Sequence, residues 1–402
     1  MFSGRFVLRN QFSSKIAKIE GIVTASIFIL FILVIGFFSF FGERRAVSEA
    51  ENRELAHMPE FSYDSWINGQ FAGEYDNFVA DSFPWRDYFL MLNANINNYF
   101  SQVSFDDEGV WIENRFLYKD RGMGHYVPVE EDIDIYADAI NYVKGKLPDT
   151  DVYVLLVPAA FNLYAPERFQ DPLTKADVNI KKIFSRIDNS VNKVDIYSAL
   201  NNAKDEYLYF RTDYHWTARG AYCGYKVFAE KAGFQPVSLD EMRHSVVEGD
   251  FFGALIREMH EPEALKDSPD FVEVFFPQIE YTATRYVDAD MTEGTPLELV
   301  RDSFDWPDKY YAFNRGDHPL IHIVTENKNG KKLMVIKDSF ANAMTAFMIC
   351  DFEEVFYVDY RLIEMDIFSF VEEHEIGSLM FLNKITLEKE ISEFVYGINE
   401  VK

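Results

Sequence analysis

The sequence predicts an α/β fold: a mostly parallel sheet covered by helices on both faces, interrupted by a β-rich excursion and preceded by one transmembrane helix. Three observations predict it. Short runs such as DVYVLLVP (Asp151 to Pro158), KLMVIK (Lys332 to Lys337) and LMFLN (Leu379 to Asn383) are almost continuously apolar, as strands buried on both faces are. Helical stretches separate several of them, as parallel crossovers require. Residues 22–41 form a twenty-residue apolar run with no charge and no proline.

That run, IVTASIFILFILVIGFFSFF, comes first in chain order. At about 1.5 Å per residue it reaches roughly 30 Å, the thickness of a bilayer core. A buried core helix would show a polar stripe, and here only Thr24, Ser26 and Ser39 are polar. A cleaved signal peptide would have a shorter apolar core and an A-x-A-like site, and neither is present. Arg5, Arg9, Lys15 and Lys18 precede the run and Arg44 and Arg45 follow it. The flanking bias points the N-terminus inward. Residues 1–20 sum to +4 − 1 = +3, which leaves −27 − 3 = −30 on the rest. The expectation is a cytoplasmic tail over 1–20, a single-pass signal anchor over 21–42 in the cytoplasmic membrane, and an acidic body outside.

Residues 43–105 are expected to form a stalk and packing helices. The stretch to Glu60 is polar; beyond it Phe71, Tyr75, Phe78, Phe89 and Leu92 recur at helical spacing, broken at Pro84. The main domain is expected over 106–402. Helices are predicted over Glu130–Leu147 and Lys175–Val191, with further strands at Val194–Tyr197, Glu206–Phe210 and Glu354–Tyr360. Between about 236 and 320, FVEVFFP and YTATRYV read as strands without intervening helices. This is the expected excursion.

The formal charge of −27 argues against a nucleic-acid partner, because phosphate backbones need a basic surface. It leaves a polysaccharide partner open. Cys223 and Cys350 are the only cysteines, with no CxxC and no metal-type spacing. Two buried free thiols and one disulfide both remain open.

Two short segments carry chemistry. In RTDYHWTARGAYCGY (Arg211 to Tyr225), Asp213 and His215 are two apart, so in an extended chain they face the same way. The carboxylate then fixes one imidazole nitrogen and leaves the other free as a base. Thr217 stands at a helix N-cap position and Gly233 at that helix's end, with Trp216 as a wedge. In VIKDSFANAMTAFM (Val335 to Met348), a buried strand runs into Asp338–Ser339 and then a helix. Backbone N–H groups at that helix start suit a developing oxyanion, and an adjacent imidazole would activate the hydroxyl. Each segment has a plainer reading: Asp338 or Ser339 as a helix cap, and Asp213–His215 as a surface turn or two ligands of a metal-dependent hydrolase. No convincing third metal ligand is present. Of the other histidines, His318 in RGDHP is the only further site candidate, and His322 in LIHIV reads as a core or cross-strand residue.

R-T-D-Y-H-W-T-x-x-G-A-Y resembles the signature of the DHHW protein family, which is related to the AlgX/AlgJ alginate O-acetylation proteins and to SGNH hydrolases. ENRELAHMPEF (Glu51 to Phe61), DSFPWRDYF (Asp81 to Phe89), GDFFGAL (Gly249 to Leu255), RGDHPLIHI (Arg315 to Ile323), KDSFANAM (Lys337 to Met344) and YVDYR (Tyr357 to Arg361) are similar to that family in the same order. The resemblance covers roughly residues 47–385. It implies an SGNH-like (flavodoxin-like) three-layer fold, with Ser339 as nucleophile, His215 as base and Asp213 as its orienting carboxylate. It also implies O-acetyl transfer or ester hydrolysis on a cell-surface or exopolysaccharide acceptor. A membrane-bound O-acyltransferase partner goes with it, and no metal or other cofactor. A glycan-binding scaffold with a vestigial site is the alternative. Two departures stand out. Tyr214 replaces the family's first His, and Asp317 stands where Asn is usual. An ionised Asp317 cannot donate to an oxyanion as Asn does. Asp317, His318, Tyr214 and Arg211 are the substrate-binding or oxyanion candidates.

Overall fold

The unbroken apolar runs become the middle of a sheet whose two faces are both covered. The computed structural model describes residues 22–38, 47–48, 53–86, 88–89, 92, 110–113, 116–119, 128–164, 175–255, 269–387 and 389–397. It divides into two units, Met1–Asn93 and Ala94–Lys402. The expected tail over 1–20 lies outside the described residues, as do 93–109 and part of the expected stalk.

In the first unit, residues 22–38 are helical with their large apolar side chains mostly exposed. Among the described residues no helix is long and apolar enough to cross a membrane. The helix Gln70–Asp81 matches the predicted aromatic spacing, with Phe71 and Tyr75 rings stacked and Phe78 buried, and it ends before Pro84.

The second unit is built, in chain order, from α1 (Glu130–Lys146), β1 (Asp151–Val157), α2 (Ala176–Arg186), β2 (Asn192–Val194), α3 (Ala218–Lys231), β3 (Tyr281–Tyr286), β4 (Thr295–Pro296), β5 (Leu320–Thr325), β6 (Lys332–Lys337), β7 (Glu354–Asp359), α4 (Ile367–Glu373), β8 (Ser378–Lys384) and α5 (Lys389–Tyr396), together with shorter pieces. The eight strands join in the order β4-β3-β5-β7-β6-β8-β1-β2. From β7 to β2 every pairing is parallel. β4, β3 and β5 extend the sheet antiparallel.

Strand alternation divides the core. Tyr153, Leu155 and Val157 of β1 pack on one face with α3 residues Tyr225 and Phe228. Val152, Val154 and Leu156 pack on the other with Ile140 of α1, Ile183 of α2 and Phe394 of α5. Each strand side chain so buried contributes about 1.5–3 kcal/mol, so both helical layers are strongly held.

Three expectations need correction. Part of the 236–320 region is no excursion: Tyr281–Tyr286 is β3 of the main sheet. Antiparallel strands need no crossover helix, so no helical pattern separates them. Among the described residues of that region, Arg243–Val246 and Glu273–Phe276 form a separate ribbon. The expected strand at Glu206–Phe210 is instead a loop that turns back on itself. Thr217 N–H donates to Leu208 O at 2.8 Å and Phe210 N–H to His215 O at 3.3 Å. Leu208, Tyr209 and Phe210 are buried inside that loop, which is why they mimic a strand. The run Val194–Tyr197 leaves the sheet after Val194, because Asp195 Oδ1 accepts from Tyr197 N–H and starts a short helix. Cys223 and Cys350 are both free.

Candidate active site

Ser339 lies just beyond the C-terminal end of β6, the edge at which parallel sheets place their ligands. The chain turns there because Asp338 caps the next turn: its Oδ1 accepts from Phe340 N–H at 3.0 Å. Asp338 N–H and Oδ2 are also bound to β8, through Leu382 O and Lys384 N–H. Burial raises the Asp338 carboxyl above its ordinary range, against the pull of those N–H donors. The helix expected after Ser339 is a 3₁₀ turn, Ser339–Met344, continued by the single turn Thr345–Met348. Phe340 N–H and Ala341 N–H both donate to Asp338.

Asp213 and His215 lie on the loop entering α3. Thr217 caps that helix, accepting from Gly220 N–H at 3.3 Å, and Gly233 ends it with φ 79°, as the sequence predicts. Gly220 is required for the approach, since a Cβ there would stand 2.2 Å from Leu208 O. Trp216 is fully buried and donates its indole N–H to Phe340 O at 2.8 Å.

The structure brings the three expected residues together. His215 Nδ1 lies 2.6 Å from Asp213 Oδ1, and His215 Nε2 lies 2.7 Å from Ser339 Oγ. Asp213 and His215 are buried and Ser339 is half-buried. Burial opposes ionisation of Asp213. The charge and hydrogen bond of His215, with N–H donors from Ala254 and His215, outweigh it and hold the carboxyl below its ordinary range. Gly253 permits this contact: a Cβ there would stand 2.2 Å from Asp213 Cβ. Chemically, such a chain of bonds lets an imidazole take a serine proton while a carboxylate stabilises the imidazolium.

The remaining sequence candidates fall at different places. Tyr214 rests against the His215 ring, with centroids 4.2 Å apart. The Arg211 guanidinium lies over the Tyr207 ring, and the Arg211 main-chain N–H donates to buried Asp270. His318 Nε2 lies 2.9 Å from Asn314 O, a carbonyl that can only accept, so Nε2–H is the donor there; burial lowers the proton affinity of the ring. Asp317 has no free oxygen for a substrate hydroxyl to replace cheaply. Its Oδ1 accepts from Lys337 Nζ and Asn342 Nδ2, each at 2.8 Å, and its Oδ2 from Arg361 at 2.8 Å. Burial alone would raise this carboxyl; Lys337 and Arg361 bring it well below its ordinary range. Asp359 completes the cluster, bound to Lys337 and by three bonds to Arg361, two from the guanidinium and one from the main-chain N–H. Two cations and two carboxylates thus balance beside the nucleophile's turn.

Sequence reasoning missed Asp270, Tyr310 and the Lys337–Asp359 pair. Asp270 anchors the loop ahead of Asp213, accepting from Arg211 N–H, Thr212 N–H, Thr212 Oγ–H and the Tyr207 hydroxyl. Lys337 and Asp359 had a usable signal: each closes an apolar buried strand with a charge, and a charge so placed needs a partner.

The model of the DHHW protein family matches residues 118–358. Among solved structures, a DHHW family protein from Eubacterium siraeum is 28% identical with a TM-score of 0.63, covering 72% of this chain and 94% of that one. PatB1 of Bacillus cereus, solved with a sulfonyl adduct, is 18% identical with a TM-score of 0.59, covering 72% and 99%. The O-acetyltransferase domain of Pseudomonas putida AlgJ is 12% identical with a TM-score of 0.43, covering 72% and 99%. No curated protein matches the chain.

Proposed function

The chain belongs to the DHHW protein family, and from that premise we propose that it is an O-acetyltransferase or esterase acting on an extracytoplasmic polysaccharide through Ser339, His215 and Asp213. The observation that carries this reading is the continuous bond path Asp213–His215–Ser339, at 2.6 and 2.7 Å. Ser339 Oγ attacks the carbonyl carbon of an acyl ester as His215 Nε2 takes its proton. The tetrahedral intermediate expels the leaving alcohol, which receives that proton from His215, and an acyl ester remains on Ser339. A glycan hydroxyl or water, deprotonated by His215, then attacks the acyl carbon, and His215 returns that proton to Ser339 Oγ as it leaves. Asp213 accepts the hydrogen bond from His215 Nδ1–H throughout. Residues 106–402 constitute an SGNH-like extracytoplasmic domain in this reading. Residues 22–41 anchor it in the cytoplasmic membrane with the N-terminus inside, and a membrane-bound O-acyltransferase supplies the acyl group.

The sulfonyl adduct in the PatB1 structure is consistent with this chemistry in a protein of similar fold. The test is acetyl transfer from 4-nitrophenyl acetate to oligosaccharide acceptors, with mass spectrometry of the glycan. Wild type is expected to acetylate an acceptor or hydrolyse the ester. Ser339→Ala and His215→Ala are expected to do neither, and nitrophenol release at the wild-type rate in both variants would sink the reading.

A further inference from the structure

The ring of Tyr310 lies face to face with the imidazole of His215, with centroids 4.0 Å apart and planes 13° from parallel. Its hydroxyl donates to the Ser339 main-chain carbonyl at 2.9 Å. Tyr310 is buried and comes from the short turn Lys309–Ala312, which Asp308 caps. A single side chain therefore touches both partners of the proton exchange. On this geometry we propose that Tyr310 is a positioning residue: its ring face supports the imidazolium that His215 becomes while it holds the Ser339 proton, and its hydroxyl fixes the nucleophile's turn. The proposal rests on the Ser–His–Asp reading above.

The face of an aromatic ring is electronegative, so a cation stacked on it is stabilised, and more so where water is excluded. His215 gains a proton, and with it a positive charge, as the tetrahedral stage forms. The stacking therefore favours the reacting state over the ground state, which is what accelerates a reaction. Among the described residues, five side chains lie against His215. Asp213 lies at Nδ1 and Ser339 at Nε2; the rings of Tyr214, Phe340 and Tyr310 surround the imidazole. Burial, with the charges of Asp213, Asp317 and Asp338, pushes the Tyr310 phenol well above its ordinary range, so its hydroxyl stays a donor. The carboxylates stay in place when residue 310 alone is changed, and differences between variants report the ring.

The experiment measures hydrolysis of 4-nitrophenyl acetate by the full chain against pH, for wild type, Tyr310→Phe, Tyr310→Leu and Tyr310→pentafluorophenylalanine. Loss or reversal of the electronegative face destabilises the imidazolium. The acid limb of kcat/KM is expected to move to lower pH by about half to one unit, with a plateau about tenfold lower. Tyr310→Phe keeps the face, so its limb is expected to stay with that of wild type. A merely structural role would lower the plateau and leave the limb in place. The pentafluoro ring keeps the shape of phenylalanine, so it decides the matter even if the leucine variant fails to fold. A limb that does not move in the pentafluoro variant, while Ser339→Ala is inactive, overturns the Tyr310 proposal alone. Wild-type hydrolysis by Ser339→Ala overturns the parent reading and this proposal with it.

Discussion

Trp216 and Phe340 stand 124 residues apart in sequence, yet the Trp216 indole N–H donates to the Phe340 carbonyl at 2.8 Å. This bond ties the loop that carries His215 to the turn that carries Ser339. It acts one residue beyond each reacting group, so it fixes their separation without taking part in proton transfer.

Trp216→Phe removes the indole N–H and its bond to the Phe340 carbonyl. A loss of about 0.5–1.5 kcal/mol is expected from that bond alone. Urea denaturation measures it. The same variant is expected to hydrolyse acetyl esters more slowly in its folded state, because nucleophile and base lose their shared brace.

Gly253→Ala tests the support of Asp213. The new Cβ would meet Asp213 Cβ at 2.2 Å and Oδ2 at 2.6 Å, so the carboxylate has to move. The expected outcome is a rate loss of about 10²-fold, the usual cost of a misplacement near 1 Å. Ester hydrolysis by protein shown to be folded by circular dichroism provides the check.

Asp213→Asn keeps the shape of the buried carboxylate and removes its charge. The amide cannot stabilise an imidazolium, and it favours the wrong imidazole tautomer. A fall in kcat on the order of 10³–10⁴-fold is expected, with KM little changed. Steady-state kinetics on an activated acetyl ester distinguish this from a general loss of folded protein.

Much of this arrangement was legible in the sequence, and the reasons differ by residue. Asp151–Val157 and Lys332–Lys337 read as strands because burial on both faces removes the polar alternation. Thr217 and Gly233 marked the ends of α3 through capping chemistry that acts locally. Leu208–Phe210 misled because a buried loop selects the same residues as a buried strand. Asp317 could be placed near the site, but not its role. That role depends on Lys337 and Arg361, which reach it from the ends of two strands far along the chain. Tyr310 carried no signal at all, since nothing local distinguishes a ring that stacks on a histidine from any core tyrosine.

Asp351 offers a test of the electrostatics away from the site. Burial raises its carboxyl to about 6, and its Oδ2 has no partner among the described residues. A carboxyl raised in the folded state binds its proton more tightly there than when unfolded. Its contribution is present at low pH and is lost as pH rises from about 4 through about 6. Asp351→Asn is therefore expected to stabilise the protein well above pH 6, by roughly 3 kcal/mol for a rise of about two pH units at about 1.4 kcal/mol each, and to leave it unchanged below pH 4. Thermal denaturation of both proteins across that range measures the difference.

The most direct test is the mass of the enzyme itself. The full chain is mixed with 4-nitrophenyl acetate, quenched in acid and digested. One acetyl group, about 42 Da, is expected on the peptide containing Ser339, reduced in Asp213→Asn and absent in Ser339→Ala. Acetylation that survives Ser339→Ala undiminished, or that maps to another residue, contradicts the assignment of Ser339 as nucleophile.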